Sequence, residues 1–523
     1  MIATHRVRDN NKTIGFIVNG VFASNITIRQ NIGLIDNLKI TKNGVIKAKK
    51  RLPEVTYRDS VIRSLYNKLM KNNPFVRDIQ KDLMHWKQDP EHGILQLEGA
   101  RQIGKTTEIL KFAYRNYKYV IYVNLASDMY KFQKACEQDI NYFTMLDYTE
   151  RAHLPGYVDN RDTILIIDEI QENMEMYNNI RTFANNLNCE IIVTGSYLGR
   201  LLVGLKKPDE DTDKKAFIPT GIDLLNMYPL SFAEFCRVFN AEDTLMSISL
   251  YGESSDRKYK KLDKLYDIYR QIGGYPAVIK EYIKTQDISA CHMRIGNLLE
   301  LFKAESREYF HDEVEIEIFD MVYDYTLYEM CSNHAGTDKR TIKDVTRIVE
   351  DKTKGMTSTR ELRNAITWLR YSGILGTCIL AENGETSFST VKKFYFIDCG
   401  VTSYLAKRAN IDASSLDGII TETFAFDELI RLYSKNTKDP KVRPYLYYGR
   451  LGNYELNFLV CGTDNNKYGI EIKTNTGDPK SLKQFLNKRI VDKGIVAKRT
   501  KGGHSEKLDT IPIYTVGCGF PYK

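Results

Sequence analysis

The feature that most constrains this chain lies between Ile94 and Tyr114. An apolar run, Ile94–Leu97, leads into Gly99-Ala100-Arg101-Gln102-Ile103-Gly104-Lys105-Thr106-Thr107, and helical sequence, Glu108–Tyr114, follows. The nine residues fit G-x-x-x-x-G-K-[ST], and strand, loop and helix in that order is the context that gives the pattern meaning. The glycines let backbone N–H groups wrap phosphates, and the helix N-terminus adds a favourable dipole. Lys105 is expected to reach the β- and γ-phosphates and Thr106 to ligate a metal, so ATP and Mg2+ are the expected ligands.

Four more apolar runs follow as the second to fifth: Tyr119–Leu125, Ile164–Ile167, Ile191–Val193 and Ile222–Met227. Continuous apolar runs alternating with helical or loop sequence predict buried parallel strands, hence an α/β core. The third run ends in Asp168-Glu169, which is where a Walker B strand carries its carboxylates. Asp168 is expected to hold magnesium through water and Glu169 to polarise the attacking water. The fourth ends in Thr194-Gly195-Ser196, hydroxyls placed to sense a γ-phosphate; an ordinary strand-ending turn is the alternative. Arg181 and Arg200 are the candidates for an arginine finger, which a neighbouring subunit can also supply.

At 523 residues the chain exceeds one hydrophobic core. Residues 1–58 predict a β-rich module, with Asn19-Gly20 and Asn43-Gly44 as turns. Helical spacing runs from Ser60 to about Lys87. The segment Lys206–Lys215 reads as an exposed loop, and 231–310 as helices broken at Gly273-Gly274-Tyr275-Pro276. Between 312 and 400 a helix carrying Leu362, Ile366 and Leu369 precedes a hairpin at Ile374–Leu380 and Phe394–Ile397, the order of a winged helix. Its Arg360, Arg363 and Arg370 suit phosphate contacts, although many such modules only pack.

Both ends are basic, with 11 Lys/Arg against 3 Asp/Glu in 1–58 and 11 against 4 in 473–523. That balance fits either a solvated surface or a nucleic-acid footprint. No run approaches the ~18 apolar residues of a membrane helix, and the N-terminus lacks a signal-peptide core. Nine scattered cysteines, without CxxC or zinc spacing, predict reduced thiols and a cytoplasmic setting.

Taken together, the strings Gly99–Thr107, Ile166-Ile167-Asp168-Glu169-Ile170-Gln171, Thr194-Gly195-Ser196, Tyr228-Pro229-Leu230-Ser231-Phe232-Ala233-Glu234-Phe235, Gly273–Val278 and Tyr395–Gly400 resemble bacterial and archaeal AAA-type ATPases with an uncharacterised nuclease-like C-terminal domain. The likeness runs from about residue 60 onward. It implies an AAA-type domain over 59–235, a helical lid over 236–311, a winged helix over 312–400 and a restriction-endonuclease-like domain over 401–523. One departure stands out: family members usually carry Gly-Arg shortly before Tyr-Pro-Leu-Ser-Phe, whereas this chain has Ile218-Pro219-Thr220-Gly221-Ile222.

Residues 420–500 resemble the PD-(D/E)XK arrangement, with Glu428 on a helix and Glu471 and Lys473 flanking Ile472 on a strand. Such a site needs an aspartate on the preceding strand, where this chain has Asn457, a far weaker magnesium ligand. A retained fold with lost or altered cleavage is the expectation, with Glu455 as a partial substitute and an active nuclease as the alternative. Lys480, Lys483, Lys488 and Arg489 are candidate DNA contacts. The expected function is an ATPase that couples nucleotide state to binding of DNA, double-stranded before single-stranded, consistent with defence against mobile DNA. The competing readings are an ATP-gated scaffold that recruits a protein through residues 1–58 and an active ATP-dependent nuclease.

Overall fold

The computed structural model describes residues 16–18, 21–23, 38–40, 46–48, 66–71, 73–126, 159–173, 177, 180, 187–195, 221–306, 317–334, 359–384, 392–434, 445–474 and 477–518. Ser196, Arg181, Arg200 and the 206–215 loop lie outside them, as does most of the N-terminal module. Within that module, β1 (Phe16–Val18) pairs antiparallel with β2 (Val21–Ala23), Val18 opposite Val21. A second antiparallel pair joins β3 (Leu38–Ile40) to β4 (Ile46–Ala48).

Helix α1 (Ile79–Gln88) precedes the first parallel sheet. Its strands are β5 (Ile94–Glu98), β6 (Tyr119–Asn124), β7 (Thr163–Asp168), β8 (Glu190–Thr194) and β9 (Ile222–Asn226), in the order β6-β7-β8-β5-β9. Every pairing is parallel. All five apolar runs are therefore strands. β5, β7 and β8 are buried along their whole length, which is why they carry no polar alternation. Helix α2 (Lys105–Asn116) leaves the β5 loop and packs Ile109, Leu110 and Phe112 inward.

Helices α3 (Phe232–Val238), α4 (Glu242–Met246), α5 (Asp256–Ile272), α6 (Pro276–Thr285) and α7 (Ile288–Ser306) follow, then α8 (Glu317–His334) and α9 (Thr359–Tyr371). Strands β10 (Leu375–Glu382) and β11 (Lys392–Phe396) form the expected antiparallel hairpin. They are not a free-standing wing. The other edge of β10 pairs parallel with β12 (Tyr445–Leu451), so the hairpin is one end of a seven-stranded mixed sheet. That sheet continues through β13 (Tyr454–Cys461), β14 (Lys467–Lys473), β15 (Lys493–Lys498) and β16 (Leu508–Pro512). It crosses the boundary expected at residue 400, because β10 is apolar on both faces and buried almost throughout. Helices α10 (Cys399–Arg408), α11 (Ala413–Ser434) and α12 (Lys480–Asn487) cover it.

The two sheets are joined through the strings noted above. Gly273 has φ 70°, and a Cβ there would stand 1.9 Å from Asp398 Oδ1. The amide of Gly274 donates to Asp398 Oδ2 at 2.7 Å, while its carbonyl accepts from Leu230 at 2.7 Å. Asp398 also caps α10 by accepting from Val401. Burial pushes its carboxyl up to about 6 against those amides and Arg431. A raised carboxyl favours the protonated fold, so its stabilisation is complete below the unfolded value near 4 and is lost as pH rises through 6. The urea stability of wild type relative to Asp398→Asn should therefore fall by on the order of 3 kcal/mol between pH 4 and pH 7. A pH-independent difference would remove Asp398 as the titrating group.

Candidate functional site

The β5–α2 loop takes the backbone its glycines permit. Gly99 has φ 144°, and a Cβ there would lie 2.2 Å from the Met227 carbonyl. Gly104 at φ 100° starts α2, and Gln102 also sits at positive φ. In this conformation the Lys105 ammonium donates to the carbonyls of Gly99 (2.9 Å) and Ala100 (3.0 Å). Burial pushes it down to about 8, opposed by Glu169 and Asp168. Arg101 pairs with Glu305 of α7 at 2.6 Å, tying the loop to the helical region.

Across the sheet, Thr106 Oγ1 donates to Asp168 Oδ2 at 2.8 Å. A hydroxyl and a carboxylate brought together at the end of β7 form a hard-oxygen pair that suits magnesium with its waters. Tyr122 donates to the same oxygen at 2.7 Å, and burial followed by Asp168 raises its phenol, keeping it a donor. The Asp168 Oδ1 accepts from the Glu169 amide at 2.9 Å. Glu169 itself has φ 54°, in the left-handed region, and its Oε2 accepts from Gln171 Nε2 at 2.5 Å. Thr194 is fully buried and its hydroxyl donates to the Leu97 carbonyl at 2.9 Å. That bond ties β8 to β5.

The loop is held from behind by a residue the motifs did not single out. Arg77, 5% exposed, donates to the Ile103 carbonyl (3.0 Å), the Tyr228 carbonyl (2.6 Å) and Glu234 (3.0 Å). Glu234 completes a capping box with Ser231 at the start of α3, which gives the Tyr228–Phe235 string its physical sense. Arg77 lies over twenty residues before the loop it supports, without a local pattern to mark it. Tyr122 lies within the second apolar run, and only the pairing of β6 with β7 brings it to Asp168.

Residues 91–236, which hold Lys105, Thr106, Asp168 and Glu169, match a family described as "AAA domain". Over those residues the chain thus has an AAA-type P-loop fold, which supports nucleotide binding. Residues 417–515 match "Domain of unknown function (DUF4143)". An uncharacterized protein of Haemophilus influenzae is 21% identical over 418 residues, covering 74% of this chain and 84% of its own. Among solved structures, the Walker-type ATPase PaBY2304 of Pyrococcus abyssi is 14% identical, covering 68% of this chain and 99% of its own, at a TM-score of 0.38. A Thermotoga maritima RuvB T158V structure is 12% identical, covering 58% and 89%, at 0.26. Likenesses this distant lend no role to individual residues.

In the second sheet Glu471 and Lys473 meet at 2.8 Å, as their alternation on β14 requires. Burial raises the Glu471 carboxyl. The other expected members are elsewhere or occupied. Glu428 is buried at the junction, accepting from the Phe232 amide (3.0 Å) and Arg431 (2.8 Å), so it braces α3 and α11. Asn457 sits where β13 inserts an extra residue against β12, between the pairs Tyr447–Leu459 and Gly449–Leu456. Its Oδ1 accepts from the Ile472 amide at 2.9 Å. Glu455, the expected substitute, is paired with Lys393 and, at 3.5 Å, with Arg450. Among the described residues no three His, Cys, Asp or Glu side chains are grouped to hold a metal ion. Nor is any described helix long and apolar enough to cross a membrane. Arg370, expected on nucleic-acid phosphates, donates to Thr377 (2.9 Å) and lines a cleft with Gly99, Ala100 and Asn226.

Proposed function

We propose that this protein hydrolyses ATP and that nucleotide binding is felt directly by a C-terminal module that grips duplex DNA without cutting it. The hydrolytic reading is carried by the convergence of Lys105, Thr106, Asp168 and Glu169 at the ends of β5 and β7. Magnesium bound through Thr106 and Asp168 would neutralise charge on the phosphates. Lys105 binds and orients the phosphate chain, and Glu169 takes the proton of the attacking water.

The coupling reading rests on what touches the loop. A Cβ on Gly373, just after α9, would lie 3.1 Å from the Ala100 amide, so the second sheet abuts the phosphate loop through backbone. Lys105 occupies the Gly99 and Ala100 carbonyls in this conformation, and engaging phosphate draws it away from them. The contact with Gly373 and the cleft shared with Arg370 then respond to the ligand. On the far side of the second sheet, α12 and its end present Lys480, Lys483, Lys488 and Arg489 beside β14; Lys483 is partly neutralised by Asp478 at 2.5 Å.

Duplex binding measured against salt tests the DNA reading. Replacing Lys480, Lys488 and Arg489 by alanine should flatten the log–log salt slope by about two to three units, and ATP should shift wild-type affinity. An unchanged slope, or affinity indifferent to ATP, counts against it. DNA left intact by wild type in magnesium supports the non-cutting reading; nicking that Lys473→Ala abolishes would replace it with the nuclease.

A further inference from the structure

Gln171 sits two residues beyond Glu169, in the short turn that ends β7, and is 3% exposed. Its amide nitrogen donates to Glu169 Oε2 at 2.5 Å. Its amide oxygen has no hydrogen-bond partner among the described residues. A buried acceptor left unsatisfied is a standing loss of stability, which a methionine of similar size would avoid. Glu169 is also held by a left-handed backbone that a non-glycine residue adopts at a cost. Both features constrain the carboxylate: the turn sets where the side chain leaves the backbone, and Gln171 engages one of its two oxygens.

We infer that Gln171 is the positioning residue for Glu169, holding its carboxylate where it meets the water that attacks ATP. This rests on the reading of Glu169 as the group that accepts the water's proton. The side chain touches neither nucleotide nor metal in this role. It acts through the carboxylate alone, by removing rotamers that point elsewhere. The short turn makes the device local, since both residues belong to one stretch of four.

The test is the steady-state hydrolysis of Gln171→Met and Gln171→Glu, each also made in the Glu169→Gln background. Methionine keeps the volume and removes both polar atoms; glutamate keeps the shape and removes the donor. The expected result is a fall in kcat of about tenfold or more, with KM for ATP little changed. The Gln171→Met protein should melt no lower than wild type, because the unsatisfied oxygen has gone. In the Glu169→Gln background the Gln171 change should have no further effect, as two residues acting as a unit require. An unaltered kcat, an equal loss in both backgrounds, or a loss confined to KM overturns the inference. If Glu169→Gln turns over as fast as wild type, the reading of Glu169 itself fails. That result is distinct from Gln171 variants that keep full activity beside an inactive Glu169→Gln.

Discussion

Glu169→Gln should bind ATP as tightly as wild type and turn it over about 10²- to 10⁴-fold more slowly. The amide keeps the size of the carboxylate and an acceptor oxygen but has no basicity, so binding and chemistry separate. Lys105 and the loop amides, which meet the phosphates, are untouched, and Asp168 keeps its bonds to Thr106 and Tyr122. Lys105→Ala is the contrasting variant. It removes the cation that binds phosphate, and its loss should appear as failure to bind nucleotide rather than as slow turnover. Fluorescent-nucleotide titration beside a phosphate-release assay distinguishes them. Full turnover by Glu169→Gln would remove Glu169 from the chemistry.

The second large effect is on stability. Arg77→Met should lower the unfolding free energy by about 3–5 kcal/mol, because it strips a buried carboxylate of its cation. Glu234 would still accept from the Asp78 and Ser231 amides, at 2.6 and 2.9 Å, but without a positive charge beside it. The carbonyls of Ile103 and Tyr228 lose their donor in the same step. Arg77→Lys keeps the charge yet cannot reach three acceptors from one ammonium, so its loss should be intermediate. Since one of those carbonyls belongs to the phosphate loop, weaker ATP binding should accompany the loss. Urea unfolding of the three proteins, with and without ATP, measures both. An Arg77→Met protein as stable as wild type would mean that the Arg77–Glu234 pair contributes nothing net.

Local chemistry made much of the first sheet legible. Ile94–Leu97, Ile164–Ile167 and Ile191–Val193 lack polar alternation because both faces of those strands are covered, and their shortness favours strand over helix. The glycines at 99 and 104 marked the loop because only glycine tolerates its torsions without strain. The second sheet was harder. Helix and hairpin at 359–396 carry the same pattern whether β10 ends a small unit or pairs with a strand beginning at Tyr445, nearly fifty residues later than the hairpin. Glu428 had the helical surroundings of a nuclease glutamate, yet what its carboxylate faces is the amide of Phe232, nearly two hundred residues earlier.

By itself, then, the sequence determined the parallel P-loop core and the residues able to carry its chemistry, because those depend on side-chain period and on torsions set within a few residues. Tertiary structure alone decided which side chains are already engaged. It joined Gly273 to Asp398 and Arg77 to Ile103, turned Thr194 toward Leu97, and carried one sheet across the expected boundary at residue 400. Those outcomes follow from which distant segments share a buried volume, where an unpaired donor or acceptor costs stability, and nothing local encodes the partner's identity.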